Sequence, residues 1–342
     1  MSSTKGIVAL VFDDPARKNA QTSDLPDVFT PPEGGMLDMG HEWEDERTLA
    51  GLVEAVRACG HRVIRVPFDP DLVRRLDDLA PAKAIILNIA EGVRGRNRES
   101  LVPAICEILG LPYTCADATG LALTLDKRLA KTLAARAGAP TAEWALVSDP
   151  DNPPARLPAF PLFVKPNAQG SSMGIRPDSV AHDLPELRRK VAELCSGGLG
   201  PALVETYLAG PELHVAIMGD ARGLTVFPPA LIETDGRVYD ASMKTKERME
   251  ERVICPAPLA EAARSELVGF ACTLYNELGL HGPCRFDFKC DAAGLPHFLE
   301  ANPLPGISRY YSVYTMQAQA AGLSYEEMIG AILEGALHRR AP

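Results

Sequence analysis

The sequence has no excess of basic residues. Its 35 lysines and arginines are outnumbered by 45 aspartates and glutamates, which gives a formal net charge of -10 at pH 7. Proteins that bind nucleic acids usually present a basic face, so this composition argues against that class. Long apolar runs are also missing. Because none approaches the roughly 18 residues that a membrane-spanning helix needs, no transmembrane helix is expected.

Paired cysteines and metal-binding histidines are missing as well. The eight cysteines are scattered without a CxxC pair, and the seven histidines show no spacing typical of zinc ligands. Strand-like residues begin at Ile7, so no secretory leader is expected. Reduced thiols in a cytoplasmic protein are therefore the expectation.

The first 115 residues alternate between strand and helix patterns. The continuous apolar run GIVALVF, residues 6–12, is typical of a parallel strand buried on both faces. Strands are predicted at 6–12, 61–66, 82–90 and 111–114, and helices at 46–60, 70–79 and 98–110. This alternation predicts an N-terminal α/β domain over residues 1–115, in which helices cover both faces of a parallel sheet.

Residues 13–45 interrupt this alternation with a long connection between the first strand and its helix. Loops of this length are uncommon in compact domains unless they are functional or disordered. The segment follows the carboxyl end of a strand, where open α/β sheets bind ligands. An ordered lid over a substrate and a mobile insertion are both open interpretations.

One arginine cluster, VRGRNRES, places Arg94, Arg96 and Arg98 between Glu91 and Glu99. The flanking acids favour a solvated entry to the helix that follows. An anion-binding loop is the alternative interpretation.

After residue 115 the pattern changes to isolated helices, strands and a glycine loop. Asp126 can cap the start of a helix, and a proline-rich surface connection is predicted at 148–160. Helices are predicted at 126–138, 184–195, 259–278 and 324–338, and strands within 161–175, 202–220 and 224–233. Strands at 282–290 and 295–303, joined by the turn DAAG, predict a β-hairpin.

The predicted hairpin carries a candidate metal site. Asp287 lies in its first strand, and Glu300 and Asn302 lie on one face of the second, because side chains alternate along a strand. Three oxygen-bearing side chains on one face can hold Mg²⁺. The alternative is that they are solvated residues of an edge strand. Their apolar neighbours, such as Phe286 and Phe298, argue against this, because a buried acid needs a partner or a metal.

The glycine loop is a candidate phosphate site. Lys165 ends a strand, and the next segment contains glycines and serines at Gly170, Ser171, Ser172 and Gly174. Backbone amides freed by glycines can surround phosphate oxygens, and hydroxyls add donors. An ordinary hairpin tip is the alternative, since the P-loop pattern is absent. Together with the acidic hairpin and Lys127 at a helix start, the loop favours nucleotide binding.

These segments resemble, in their order, the ATP-grasp enzymes, and among them the D-alanine–D-alanine ligases. The resemblance covers roughly residues 100–310. It is carried by PYTCADATGLALTLDKRLAK, PLFVKPNAQGSSMGI, LVETYLAGPEL, VICPAPL, GPCRFDF and FLEANPLPGIS. The implied architecture is α/β and α+β: the N-terminal parallel-sheet domain, then an ATP-grasp fold of two α+β subdomains at 116–203 and 204–342.

The resemblance also implies site roles. The nucleotide-binding residues would be Lys127, Lys165, Gly170, Ser171, Ser172, Gly174, Glu205, Glu212 and Lys244. Among these, Glu205 would border the adenine, Glu212 would bind the ribose, and Lys244 would reach the γ-phosphate. Magnesium or manganese, as two ions, would be held by Asp287, Glu300 and Asn302. Arg285 and the Gly306 amide would stabilise the tetrahedral intermediate, and Ser171 would help to close the catalytic site.

The implied reaction joins a small carboxylate to a small amine. The carboxylate attacks the γ-phosphate of ATP to form an acyl phosphate, and the amine then displaces phosphate. Exclusion of water would protect this intermediate. No nucleic-acid or membrane partner is implied, and the resemblance also allows a homodimer.

Several departures concern the substrate side of the site. The long 13–45 segment replaces a short loop with a substrate-binding glutamate, and the possible substitutes are Glu42, Glu44 and Glu46. Thr245 follows Lys244 where the family has a tyrosine, so the family's serine–tyrosine closure around Ser171 is expected to be missing. The run NIAEG, residues 88–92, replaces a histidine–glycine signature. Arg309, Tyr310 and Tyr311 would give a bulkier acceptor pocket.

The departures favour substrates other than two D-alanines. A D-alanine–D-alanine ligase and an inactive ATP-binding sensor or scaffold are the alternatives.

Overall fold

A computed structural model describes residues 5–14, 44–93, 95–170, 172–233 and 252–339. Arg94, Ser171, Lys244, Thr245 and most of the predicted lid segment lie outside the described residues. The predictions for these positions therefore stay predictions.

The N-terminal part forms the predicted parallel sheet. Its strands are β1 (Ile7–Phe12), β2 (Arg62–Pro67) and β3 (Ile85–Asn88), in the order β2-β1-β3. The accompanying helices are α1 (Glu46–Ala58), α2 (Leu72–Asp77) and α3 (Leu101–Leu109). The predicted strand at 111–114 is reduced to a single parallel bridge between Ile86 and Tyr113. The run LPYT is too short and too close to the end of α3 to pair further.

The next part contains a four-stranded antiparallel sheet in the order β4-β7-β5-β6. Its strands are β4 (Trp144–Val147), β5 (Leu162–Pro166), β6 (Val180–Ala181) and β7 (Ala202–Thr206). Its helices are α4 (Ala118–Leu125), α5 (Lys127–Arg136) and α6 (Leu184–Ser196). The carboxylate of Asp126 accepts from the amide of Leu129 at 3.1 Å, so the predicted cap fixes the start of α5 and the position of Lys127.

The third part contains a six-stranded sheet with the order β11-β10-β8-β12-β13, and β9 pairs with β8. Its strands are β8 (Glu212–Asp220), β9 (Gly223–Val226), β10 (Ala230–Ile232), β11 (Val253–Ile254), β12 (Gly282–Cys290) and β13 (Pro296–Asn302). Its helices are α7 (Glu261–Glu277), α8 (Val313–Ala320) and α9 (Tyr325–Leu337). The predicted strand at 224–233 is two strands, because consecutive prolines at 228 and 229 interrupt it.

The N-terminal and six-stranded sheets share their hydrophobic cores. One cluster joins Ala9 and Val11 to Phe286 and Phe288, and another joins Leu10 to residues of α8 and α9. The four-stranded sheet has a separate cluster with α6. The packing therefore leaves a cleft where the four-stranded sheet faces the other two.

The sequence analysis did not predict helices α4 and α8. The second follows the segment that was expected to line a pocket, and its Tyr314 is fully buried against Phe227 with ring centroids 5.6 Å apart. Within the described ranges, no helix has both the length and the apolar character needed to cross a membrane.

Candidate active site

The cleft holds a cavity that brings together most of the predicted site residues. Strand ends from both antiparallel sheets, the glycine loop and the loop after β13 form its walls. The predicted residues that line it are Lys127, Lys165, Gly170, Ser172, Glu205, Glu212, Arg285, Asp287, Glu300, Asn302 and Gly306. Residues separated by up to 179 positions in the chain thus share one site.

The hairpin presents its polar residues as predicted. Asp287 pairs with Glu300, and Arg285 pairs with Asn302, in the register of β12 and β13. Arg285 contacts Asp287 through two atoms, with Nε 2.7 Å from Oδ1 and a terminal nitrogen 2.8 Å from Oδ2. The amide nitrogen of Asn302 donates to the same Oδ2 at 3.0 Å. The buried carboxylate is thus neutralised by a bidentate partner.

The donor set of the hairpin suits a hard divalent cation. Asp287 and Glu300 offer carboxylate oxygens across paired strands, and the amide of Asn302 can turn its oxygen towards them. In the described part of the chain there is no cluster of three or more His, Cys, Asp and Glu residues suited to a metal.

Lys127 links the hairpin to the glycine loop. Its Nζ is 3.0 Å from a carboxylate oxygen of Glu300 and donates to the backbone carbonyl of Gln169 at 2.5 Å. The side chain is almost fully buried. A cation held at this point, between the acids and the loop, can meet a phosphate that enters the cavity.

Glu205 lies between two lysines at the end of β7. Its carboxylate oxygens are 2.8 Å from Nζ of Lys131 and 2.6 Å from Nζ of Lys165. Burial alone raises the pKa of the Glu205 carboxyl, but both lysines outweigh burial and lower that pKa to about 2. Burial lowers the pKa of Lys131. Lys131 was missed from sequence because only its spacing of four residues from Lys127 marks it, and that spacing is common on helices.

The buried Glu205 pair makes stability dependent on pH. The pKa of this carboxyl is about 2 in the folded protein against an ordinary 4.5, so the unfolded chain takes up the proton first as pH falls. The stabilisation is complete above the ordinary value and is lost as pH falls through about 2. We expect the difference in unfolding free energy between wild type and Glu205→Gln, measured by urea unfolding, to shrink from pH 5 towards pH 2. A constant difference would contradict the charged pair.

His214 lies between Glu212 and Asp287 in the lining of the cavity. Its Nε2 is 3.0 Å from Glu212 and 3.6 Å from Asp287, and the ring is buried. Lys289 Nζ lies 3.8 Å from the other oxygen of Glu212. Glu212 is therefore a buried, partnered acid rather than a surface charge.

The glycine loop is held in tight turns. The amide of Met173 donates to the carbonyl of Gly170 at 2.9 Å, and Ser172 has a φ of 61°. Gly174 has a φ of +71°, and a Cβ there would lie 2.8 Å from both Leu199 and Pro166. Gly174 is thus required by the fold of the loop, whereas Gly170 and Ser172 face the cavity.

Glu44 and Tyr311 lie together in the lining of the cavity. The phenol of Tyr311 hydrogen-bonds to Glu44, and it lies 2.9 Å from Oγ1 of Thr48, which contacts Oγ of Ser308 at 2.9 Å. Burial and the neighbouring Glu44 carboxylate raise the pKa of Tyr311. Of the candidate glutamates, Glu44 lines the cavity and Glu46 is exposed beside Arg65, while Glu42 lies outside the described residues.

Two sequence predictions near the cavity are correct only in part. Arg309 and Tyr310 do not line it: Arg309 pairs with Glu326 and stacks on the Tyr325 ring, and Tyr310 packs beneath Arg47. The arginine cluster is a solvated helix entry only in part, because Arg96 is exposed whereas Arg98 is buried. Local charge pattern does not report such long-range packing.

The fold and this cavity define the class of the protein, an ATP-grasp enzyme. The structure aligns with a crystal structure of D-alanine–D-alanine ligase from Bacillus anthracis complexed with ATP. The TM-score is 0.70 over 97% of both chains, at 18% sequence identity. This likeness shows the fold and confirms the predicted arrangement of α/β and α+β parts.

The family follows from sequence comparison. The family described as D-ala D-ala ligase C-terminus matches residues 133–334. A D-alanine–D-alanine ligase of Oleidesulfovibrio alaskensis is 34% identical over 85% of this chain and 93% of the relative. An uncharacterised protein of Sinorhizobium fredii is 31% identical over 87% of this chain and 89% of the relative. The chain therefore belongs to the D-alanine–D-alanine ligase family, and it is an ATP-dependent ligase.

Proposed function

We propose that the protein joins a small carboxylate to a small amine through an acyl phosphate, at the expense of ATP. The observation that carries this proposal is the grouping of Lys127, Lys165 and Arg285 with the hairpin acids around one cavity. Such a grouping suits phosphoryl transfer, in which catalysis is mainly positioning and charge stabilisation. The three sheets support a division into three parts, but strand β7 (Ala202–Thr206) of the four-stranded sheet crosses the proposed boundary between 116–203 and 204–342.

In this proposal Lys127 and Lys165 bind the nucleotide phosphates by exchanging their carboxylate partners for phosphate groups. Lys127 is paired with Glu300, and Lys165 is paired with Glu205. An entering triphosphate offers each ammonium group a stronger anionic partner in the same cavity. Gly170 and Ser172 line the same cavity, where loop amides would approach the phosphate oxygens, and Glu212, also in the lining, would bind the ribose hydroxyls.

Asp287, Glu300 and Asn302 would hold Mg²⁺ or Mn²⁺ in this site. When bound, the divalent cation would supply charge neutralisation and orientation for the phosphate oxygens. Asp287 would contribute a buried carboxylate, which Arg285 and the amide of Asn302 contact.

Arg285 then serves the second half of the reaction. Once released from Asp287, its guanidinium can stabilise the oxyanion that forms when the amine attacks the acyl phosphate. The Gly306 amide lies in the same wall of the cavity and would add a second donor. Exclusion of water from the cavity would limit hydrolysis of the acyl phosphate.

Glu44 is proposed to bind the ammonium group of the first substrate. It projects from the segment that replaces the usual loop, and its oxygen lies 3.8 Å from the Cβ position of Gly306. Tyr311 fixes the Glu44 carboxylate and occupies space on the acceptor side. Because the Tyr311 phenol occupies this space, it supports the proposal that the substrates are amino acids other than two D-alanines. The names of relatives, such as the ligase of Oleidesulfovibrio alaskensis, instead favour D-alanine for both substrates.

The test is phosphate release from ATP and Mg²⁺ with D- and L-amino acids, singly and in pairs, with mass spectrometry of the products. A mixed or L-amino-acid amide would support the proposed substrates. A product made of two D-alanines would identify a cell-wall enzyme and would overturn the proposal that the substrates differ from D-alanine. ATP binding without any amide would overturn ligation and favour the sensor or scaffold.

Glu44→Gln tests the ammonium site. The amide keeps the size of the side chain but loses its charge, so we expect the KM of the first amino acid to rise about tenfold or more. The KM of ATP should change little. Glu46→Gln, at an exposed glutamate two residues away that pairs with Arg65, is the matched control. Equal effects of both variants would contradict the assignment.

A further inference from the structure

Arg98 is a buried arginine that the reaction described above does not use. It precedes α3 in the N-terminal part of the chain, and its side chain is 1% exposed. One terminal nitrogen donates to the backbone carbonyl of Ala168 at 2.9 Å. The guanidinium therefore reaches out of its own domain, across 70 positions of sequence, to the segment that leads into the glycine loop.

The carbonyl that Arg98 contacts lies beside a second cation-bound carbonyl. Gln169 follows Ala168, and its carbonyl accepts from Lys127 at 2.5 Å. Two cations thus hold two consecutive carbonyls immediately before Gly170. The backbone amide of the preceding residue, Asn167, donates a hydrogen bond to the carbonyl of Pro201 at 3.0 Å.

The segment that carries Arg98 is itself anchored. The carboxylate of Asp13, at the end of β1, accepts from the amides of Glu91 at 2.7 Å and Gly92 at 3.2 Å. Gly92 packs closely on Arg98, since a Cβ on this glycine would lie 3.2 Å from Cβ of Arg98. Hydrogen bonds and close packing therefore hold the backbone near Arg98 in place, which suits a residue that positions another segment.

We propose that Arg98 is a positioning residue that anchors the glycine loop to the N-terminal domain for nucleotide binding. This inference rests on the proposed function, in which the loop covers the nucleotide phosphates. When Lys127 turns to a phosphate, the Gln169 carbonyl loses that donor. Arg98 faces a carbonyl behind the loop and keeps its contact. The loop then retains one charged anchor while its amides meet the phosphates.

Arg98→Gln and Arg98→Lys test this role with a non-hydrolysable ATP analogue and Mg²⁺. We expect Arg98→Gln to weaken analogue binding, measured by calorimetry, about tenfold, because one charge-assisted hydrogen bond is lost. Amide hydrogen exchange at residues 168–175 should become faster, and the analogue should protect it less. Arg98→Lys should recover part of both effects. In turnover, the KM of ATP should rise more than kcat falls.

Arg74→Gln is the control for loss of an arginine charge, because Arg74 is exposed on α2 beside Asp71 and Asp78. Unchanged analogue binding and exchange in folded Arg98→Gln would overturn the inference. If that variant does not fold, Arg98→Lys decides: wild-type binding and loop protection would overturn it, and intermediate values would support it. A wild type that binds analogue but makes no amide would refute ligation alone, whereas no analogue binding would refute both.

Discussion

Glu300→Gln is expected to reduce kcat for ligation about 100-fold or more, in line with the loss of one preorganised charge in an active site. Glu300 lies opposite Asp287 on the hairpin and 3.0 Å from Lys127. The substitution removes a carboxylate from the proposed metal site and alters the partner of a phosphate-binding lysine. We also expect a higher Mg²⁺ concentration at half-maximal rate, measured as phosphate release during amide formation.

Glu334→Gln is the control for Glu300→Gln. Glu334 is exposed on α9, 3.8 Å from Arg222 at the surface, and lies outside the cavity. Its replacement should leave kcat and the Mg²⁺ dependence unchanged. Near-normal turnover of Glu300→Gln would remove the hairpin from the proposed metal site.

Lys131→Met is expected to lower the unfolding free energy by about 3 kcal/mol, since breaking a buried ion pair by removing one partner is strongly destabilising. Lys131 is fully buried, and its Nζ meets Glu205 at 2.8 Å, Thr141 Oγ1 at 2.6 Å and the Phe298 carbonyl at 3.1 Å. Methionine fills a similar volume but satisfies none of these acceptors. Urea unfolding monitored by circular dichroism measures the loss.

A double-mutant cycle separates the charge pair from packing. Lys131→Met with Glu205→Gln should cost less than the sum of the single variants, because the second substitution removes the charge left behind. Lys83→Met, at an exposed turn position, is the surface control and should change stability by less than about 0.5 kcal/mol. Additive losses would show that Lys131 and Glu205 are not coupled.

The local elements followed from sequence where a strong period or cap was present. The strand at Ile7–Phe12, the helix capped by Asp126 and the hairpin of β12 and β13 occur close to their predicted bounds. Helix α8 was missed because SRYYSVYTMQAQ has no simple apolar stripe. The helix is buried on the six-stranded sheet, and the local sequence does not show that contact. The strand at 111–114 failed because pairing depends on a neighbour and not on composition alone.

The sequence by itself determined the order of the motifs, the placement of Asp287 and Glu300 on one hairpin face, and the ATP-grasp resemblance. These depend on short-range periodicity and spacing, which a chain carries before it folds. Only the tertiary structure decided the partners: Lys131 and Lys165 for Glu205, Tyr311 for Glu44, and the Ala168 carbonyl for Arg98. These groups meet because three separate sheets pack around one cavity, and buried charges there must find partners that no local pattern specifies.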